Sequence, residues 1–116
     1  MAKYKERERR KYPRMSGNFV INYRIQQMPY GYDLSQTKDV SQGGVRITTG
    51  KPFEAGTCLA MNLRIPFVPG KIEIKGKVVN SREVVRDLIY ETQVEFLGLS
   101  EDFFKKLGEF IKENLK

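Results

Sequence analysis

The feature that most restricts the fold of this chain is an alternation of apolar side chains in its second half. Leu59, Met61, Leu63 and Ile65 occupy every second position, as do Ile72, Ile74, Gly76 and Val78, with mostly polar or charged residues between them. A helix would scatter this pattern around its circumference, whereas an extended strand gathers it on one face. Each segment is therefore expected to be a strand with one side buried and the other in water.

Five further segments read as strands. Phe19 to Ile25 is rich in β-branched and aromatic residues, a second candidate lies around Tyr32 to Val40, and in Gly44 to Thr49 Val45 and Ile47 share a face. Arg82 to Arg86 and Ile89 to Phe96 follow the two alternating runs, Cys58 to Ile65 and Lys71 to Val79. The breaks fall at the Pro29-Tyr30-Gly31-Tyr32-Asp33 stretch, at Gly50 to Gly56, and at Pro66, Pro69-Gly70, Asn80-Ser81 and Asp87, residues that favour turns. Strands that succeed one another without intervening helices pair antiparallel, because parallel pairing needs crossovers of about a dozen residues. Of the two architectures open to such a chain, a sandwich and a closed barrel, the barrel is the expectation here.

The period changes near the C-terminus, where Phe103, Phe104, Leu107, Phe110, Ile111 and Leu115 recur at helical spacing. One amphipathic helix is expected, with Ser100 capping its first turn and Glu101 and Asp102 placed where the helix dipole favours negative charge. Its apolar stripe suits a lid over one barrel end, and a partner-binding face is the alternative.

At 116 residues the chain has the size of one domain. It has no apolar run of membrane-spanning length and no apolar segment behind its charged N-terminus, so a cytoplasmic protein is expected. Its single cysteine, Cys58, excludes an intrachain disulfide and a thiolate zinc cluster, and reads as a small buried hydrophobe. Histidine is absent, which removes Ser-His-Asp and Cys-His catalysis together with the commonest transition-metal ligand. No enzymatic activity and no metal or other cofactor is expected.

The net charge of +7 is unevenly spread. Lys3, Lys5, Arg7, Arg9, Arg10, Lys11 and Arg14, less Glu6 and Glu8, leave +5 within the first 14 residues. Residues 1 to 15 thus read as a flexible basic arm in front of a barrel-and-helix unit spanning 16 to 116, all within one domain. Such an arm either meets an anionic partner or serves as a solvated tail.

Two motifs bear on that choice. Arg10 and Arg14 are separated by three residues, with Pro13 stiffening the backbone before the second. Each guanidinium can fork onto phosphate or onto the O6/N7 edge of guanine. Asp39-Val40-Ser41-Gln42-Gly43-Gly44 then leads into the strand Val45 to Thr49. Its Asp and Ser can hydrogen-bond turn backbone, and its glycines allow positive φ or the close approach of another group. Taken singly, the first is a spacing that an arginine-rich arm produces readily, and the second is an ordinary turn.

Together, a paired-arginine arm followed by Asp-x-Ser-x-x-Gly at the opening of a strand resembles the ligand-binding signature of the PilZ family, receptors for the bacterial second messenger cyclic di-GMP. Arg9-Arg10-Lys11-Tyr12-Pro13-Arg14 is similar to the family's arm, and Pro52-Phe53-x-x-Gly56-Thr57 is similar to its turn into the next strand. Val94-Glu95-Phe96-Leu97-Gly98-Leu99-Ser100 before the helix is similar to how these domains end, and the resemblance covers roughly residues 7 to 115. Gln93 departs from it, since the family often has a glycine there, which bears on local backbone packing. The resemblance implies a six-stranded antiparallel barrel with a C-terminal helix, one strand fewer than counted above. The extra strand is absorbed if Arg82 to Arg86 pairs with Ile89 to Phe96 as a hairpin and the strand before Asp39 is short or irregular.

The resemblance also implies roles. Arg10 and Arg14 would contact guanine and phosphate, Asp39 and Ser41 would hydrogen-bond a guanine edge or the arm, and Gly43 and Gly44 would leave room. An arginine at the position of Arg9 accompanies a stacked pair of ligand molecules in the family, which implies two ligands per chain. The output partner implied is a protein of a motility, adhesion or secretion system. Two other readings remain: a PilZ-like adaptor that binds only protein, and a small nucleic-acid-binding barrel. The second draws on the charge and on Tyr23, Tyr30, Tyr32 and Tyr90, but no strand carries closely spaced exposed aromatics, which argues against nucleic acid.

Overall fold

The structure is a computed structural model that describes residues 12–28, 31–67 and 72–114. Arg9 and Arg10, and with them Pro29, Tyr30, Pro69, Gly70, Lys71 and Leu115, lie outside the described residues. The described elements are β1 (Met15–Ser16), β2 (Val20–Ile25), β3 (Asp33–Val40), β4 (Gly44–Thr49), β5 (Cys58–Leu63), β6 (Ile72–Val85), β7 (Ile89–Leu97) and α1 (Glu101–Asn114).

All strand pairs are antiparallel, in the order β1-β3-β2-β5-β6-β7-β4, and pairing of β3 with β4 closes six of them into a barrel. Closure removes the free edges that an open sheet would expose. β1 is the additional strand, laid against the end of β3.

The alternation decides which side chains fill the interior. Leu59, Met61 and Leu63 of β5 face inward with Ile74 and Val78 of β6, meeting Ile21, Val40, Ile47 and Val94 from the other strands, all of them buried. Gly76 continues the inward series of β6 without a side chain because Met61 and Val94 occupy the space its Cβ would need. Cys58, expected to be buried, is only half-buried, since it stands one position before the inward-facing Leu59. The buried threonines are satisfied: Thr49 and Thr92 share a 2.9 Å hydroxyl contact, Thr92 reaches Ser81 at 2.7 Å, and Thr37 donates to Gly17 O while accepting from Phe19 N at 2.9 Å.

The strand count differs from the sequence reading in one instructive way. Asn80-Ser81 is not a turn. Residues 72 to 85 form a single 14-residue strand whose register on β7 shifts between Val78 and Asn80. This β-bulge absorbs the irregularity and lets the strand continue. The segments Lys71 to Val79 and Arg82 to Arg86 thus collapse into one element, and the strand that reaches Asp39 is eight residues long and not short, but irregular in its pairing with β4 between Thr37 and Asp39. A turn does follow at Asp87, which adopts φ 58° and whose N–H is accepted by Glu83 Oε2 at 2.9 Å.

Helix α1 begins as expected. Ser100 Oγ accepts from Phe103 N at 3.1 Å, and Glu101 and Asp102 occupy the first turn. Phe103, Leu107 and Ile111 enter the core, while Phe67 stacks on Phe103 at 5.9 Å and packs against Phe110 at 5.2 Å. Phe19 meets Phe110 at 5.9 Å. The apolar stripe is thereby spent on the barrel, as a lid requires. No helix among the described residues is long and apolar enough to cross a membrane.

Candidate ligand-binding site

The described end of the arm is held on the barrel at three successive points. Met15 pairs with Val40 and Ser16 with Asp39, and Met15 is buried in the core. Before the proline, the Tyr12 ring stands edge-on to Phe104 of α1, with centroids 5.5 Å apart. That ring also covers Gly43, where a Cβ would come within 3.1 Å of Tyr12 Cδ2. The described end of the arm, through Tyr12, Met15 and Ser16, is therefore a neighbour of the Asp39 to Gly44 segment.

The turn itself is rigidly bonded. Ser41 N donates to Gly44 O at 2.9 Å, and Ser41 Oγ accepts from Gly43 N at 3.1 Å and from Gly44 N at 3.2 Å. The serine hydroxyl thus does for this backbone what a cap does for a helix. Phe96 N donates to Gly43 O at 2.9 Å, tying the turn to β7, and Gln42 Nε2 donates to Phe104 O at 2.9 Å, tying it to α1. Neither Gly43 nor Gly44 uses positive φ. Gly44 is required for close approach, because the Val94 carbonyl oxygen of β7 stands where its Cβ would be.

Asp39 is buried, and its carboxylate is not left alone. A register shift between Thr37 and Asp39 aligns Asp39 with Arg46 on β4, and Arg46 Nη2 lies 2.7 Å from Asp39 Oδ2. Arg46 Nη1 is 3.7 Å from Glu91 Oε1 on β7, and the same Glu91 oxygen accepts from Arg82 Nη2 of β6 at 2.7 Å. The result is a row of alternating charges, Asp39, Arg46, Glu91 and Arg82, crossing four strands on the outer face of the barrel. Its cations hold the Glu91 carboxyl below the usual carboxylate range, chiefly through the Arg82 hydrogen bond, with Arg46 and Lys38 adding to it and burial opposing. Arg46 Nε is buried and has no partner among the described residues.

Sequence reasoning missed Tyr12, Gln42, Arg46, Glu91 and Arg82. Arg46 alternates with the inward Val45 and Ile47, so its outward direction was readable, but its neighbours were not. Gln93 pairs with Arg46 of β4 in unbroken register, but on the β6 side the register shift between Val78 and Asn80 falls opposite it, and Gln93 Oε1 accepts from Asn80 Nδ2 at 3.5 Å. An open cleft of about 390 Å³ lies at the far ends of β3 and β4, lined among others by Tyr23, Asp33, Ser35, Thr48 and Lys51. No described residue of the Arg10/Arg14 or Asp39 to Gly44 motifs lines it, and of the tyrosines named above Tyr23 does. The described residues hold no group of three or more His, Cys, Asp or Glu side chains arranged to bind a metal ion.

In chemical terms the described residues bring together a buried carboxylate paired with Arg46, a serine-bonded glycine turn and the described end of the arm. The family model for the PilZ domain matches residues 8–113. No curated protein matches the chain. Among solved structures, the chain is similar to the Bacillus subtilis inhibitor of motility MotI/DgrA, with TM-score 0.75 and 14% identity, covering 91% of this chain and 51% of that one. It is similar to the PilZ domain of YcgR from Escherichia coli, solved with c-di-GMP, with TM-score 0.69 and 18% identity, covering 92% of each chain. A third similarity is to the K. pneumonia MrkH–c-di-GMP complex, with TM-score 0.70 and 18% identity over 91% of this chain and 52% of that one. The chain thus spans about half the length of MotI and MrkH and nearly all of the YcgR domain.

Proposed function

This chain belongs to the PilZ domain family, and from that premise we propose that it is a non-enzymatic, cytoplasmic receptor for cyclic di-GMP. The observation that supports this most strongly is the seating of the arm's described end against the second motif: Met15 and Ser16 pair with Val40 and Asp39, and the Tyr12 ring covers Gly43. Arg10 and Arg14 contact phosphate and guanine, and Asp39 accepts from the N1 and N2 donors of a guanine. Ser41, Gly43 and Gly44 contribute the turn on which the ligand rests, and Arg9 favours a second, stacked ligand molecule.

Sign and shape agree with that ligand. Cyclic di-GMP carries two phosphodiester charges for the arginines and two guanine edges that need an acceptor. Hydrogen bonds to charged groups contribute about 1.5–3 kcal/mol each, so a few of them reach the roughly 8 kcal/mol of a micromolar complex. Ordering the arm costs about 2–5 kcal/mol of this, as coupled ordering generally does. The resulting mechanism is a clamp: ligand orders the arm against the barrel, and the altered surface is read by a partner protein, of a motility, adhesion or secretion system by analogy with the family.

The decisive experiment is isothermal titration of the purified chain with cyclic di-GMP at moderate salt, with GTP and linear pGpG as controls. Selective binding at micromolar affinity or better is expected, with two ligands per chain at saturation. No heat of binding would remove the receptor reading and leave a protein-only adaptor, while saturation at one ligand would refute the role given to Arg9.

A further inference from the structure

Arg46 belongs to neither signature motif, yet among the described residues it makes the one ion pair with the carboxylate at the centre of the second. The Asp39 side chain is 12% exposed, so its orientation is decided by protein contacts rather than by water. Arg46 Nη2 lies 2.7 Å from Oδ2 as an ion pair, and the described residues donate no hydrogen bond to this carboxylate. A carboxylate offers about four acceptor positions. Among the described residues Oδ1 therefore has no partner, and the ion pair with Arg46 anchors the carboxylate at Oδ2.

Arg46 is itself kept from wandering. Glu91 stands 3.7 Å from Nη1 on the side away from Asp39, and Glu91 is in turn held by Arg82 at 2.7 Å. A planar fork caught between two carboxylates on different strands has little freedom to rotate. The chain of contacts runs through β-ladder neighbours, so the position of Asp39 is referred to the barrel wall as well as to its own turn. A guanine edge presents N1–H and N2–H side by side, and a carboxylate meets both at once only if its plane is correctly turned.

We propose that Arg46 is a positioning residue that sets guanine specificity at the cyclic di-GMP site, holding the Asp39 carboxylate in the plane needed to accept from guanine N1–H and N2–H together. This rests on the receptor reading above. Arg46 acts through Asp39 and makes no ligand contact of its own.

The test uses cyclic di-GMP and its inosine analogue cyclic di-IMP, which keeps N1–H and lacks the 2-amino group. Both are titrated into the unaltered chain, Arg46→Gln, Arg46→Lys, Asp39→Ala and the Arg46→Gln/Asp39→Ala double variant, with thermal unfolding of each without ligand. The unaltered chain is expected to prefer cyclic di-GMP by about tenfold or more, the usual scale for one well-placed base contact. Arg46→Gln is expected to lose about tenfold in cyclic di-GMP affinity and little for cyclic di-IMP, so that the preference collapses. Adding Arg46→Gln to Asp39→Ala should then cost nothing further, the coupling expected when one residue acts through the other. Should Arg46→Gln fail to fold, Arg46→Lys decides, because it keeps the charge and loses the fork, and its preference should also fall.

An unchanged preference in the folded variant overturns the inference, whether affinity for both ligands is retained or falls in parallel. Binding of neither ligand by the unaltered chain would instead overturn the receptor reading, and the inference with it.

Discussion

Arg14 stands in the chain between Tyr12, whose ring covers Gly43, and Met15, which pairs with Val40. In the receptor proposed above its guanidinium serves the ligand, so Arg14→Ala should weaken cyclic di-GMP binding by about 1.5–3 kcal/mol, the value of a charged hydrogen bond, while leaving the thermal midpoint close to that of the unaltered chain. Unaltered titration curves for this variant and for Arg10→Ala would remove both from the site. Tyr23 makes a prediction of another kind. Burial, seconded by Asp33, pushes its hydroxyl from 10.0 up to about 12. The unfolded chain therefore loses this proton first as pH rises. The stability that neutral Tyr23 contributes is intact below pH 10 and disappears as pH climbs through about 12. Denaturant midpoints measured across that window should fall less steeply in Tyr23→Phe, and equal slopes would show that another group governs the alkaline limb.

Among the elements, helix α1 is the most local in origin and β6 the least. The helix follows from the spacing of Phe103, Leu107 and Ile111 and from the Ser100 cap, all readable before any tertiary contact is known. Ser100→Ala should cost about 1 kcal/mol, the typical value of an N-cap, visible as a lowered unfolding midpoint with cyclic di-GMP affinity unchanged. A loss of affinity would mean that the helix start couples to the turn through the Gln42 to Phe104 bond. Strand β6 shows why strand ends are hard to read. Asn80 and Ser81 have turn chemistry, and in isolation they would end a strand. Here β7 supplies partners on both sides of the interruption, and Ser81 gains a 2.7 Å bond to buried Thr92. A partner strand thereby overrides local preference, as it commonly does in sheets.

At the scale of the whole molecule, the clamp proposed above would act through the arm against the closed barrel. With Tyr12 seated on Gly43 and Phe104, the described end of the arm already lies beside the turn, so the clamp has a short distance to travel. Amide exchange across residues 5 to 15 should slow when cyclic di-GMP is added, and equal rates with and without ligand would contradict the clamp. How much of this was legible varies with the residue. Leu59, Met61 and Leu63 announced a buried strand face, Ser100 a helix start, and Asp39 with Ser41 a turn, because periodicity, capping and turn chemistry act over a few neighbouring residues. From these the sequence by itself determined a β-rich chain ending in an amphipathic helix, together with the motifs of its candidate site. Tertiary structure alone decided that Asn80 lies within a strand, that Gly44 makes way for the Val94 carbonyl, and that Arg46 stands against Asp39. Each of these depends on which strands are neighbours and in what register, and a one-residue slip in pairing would bring a different set of side chains together.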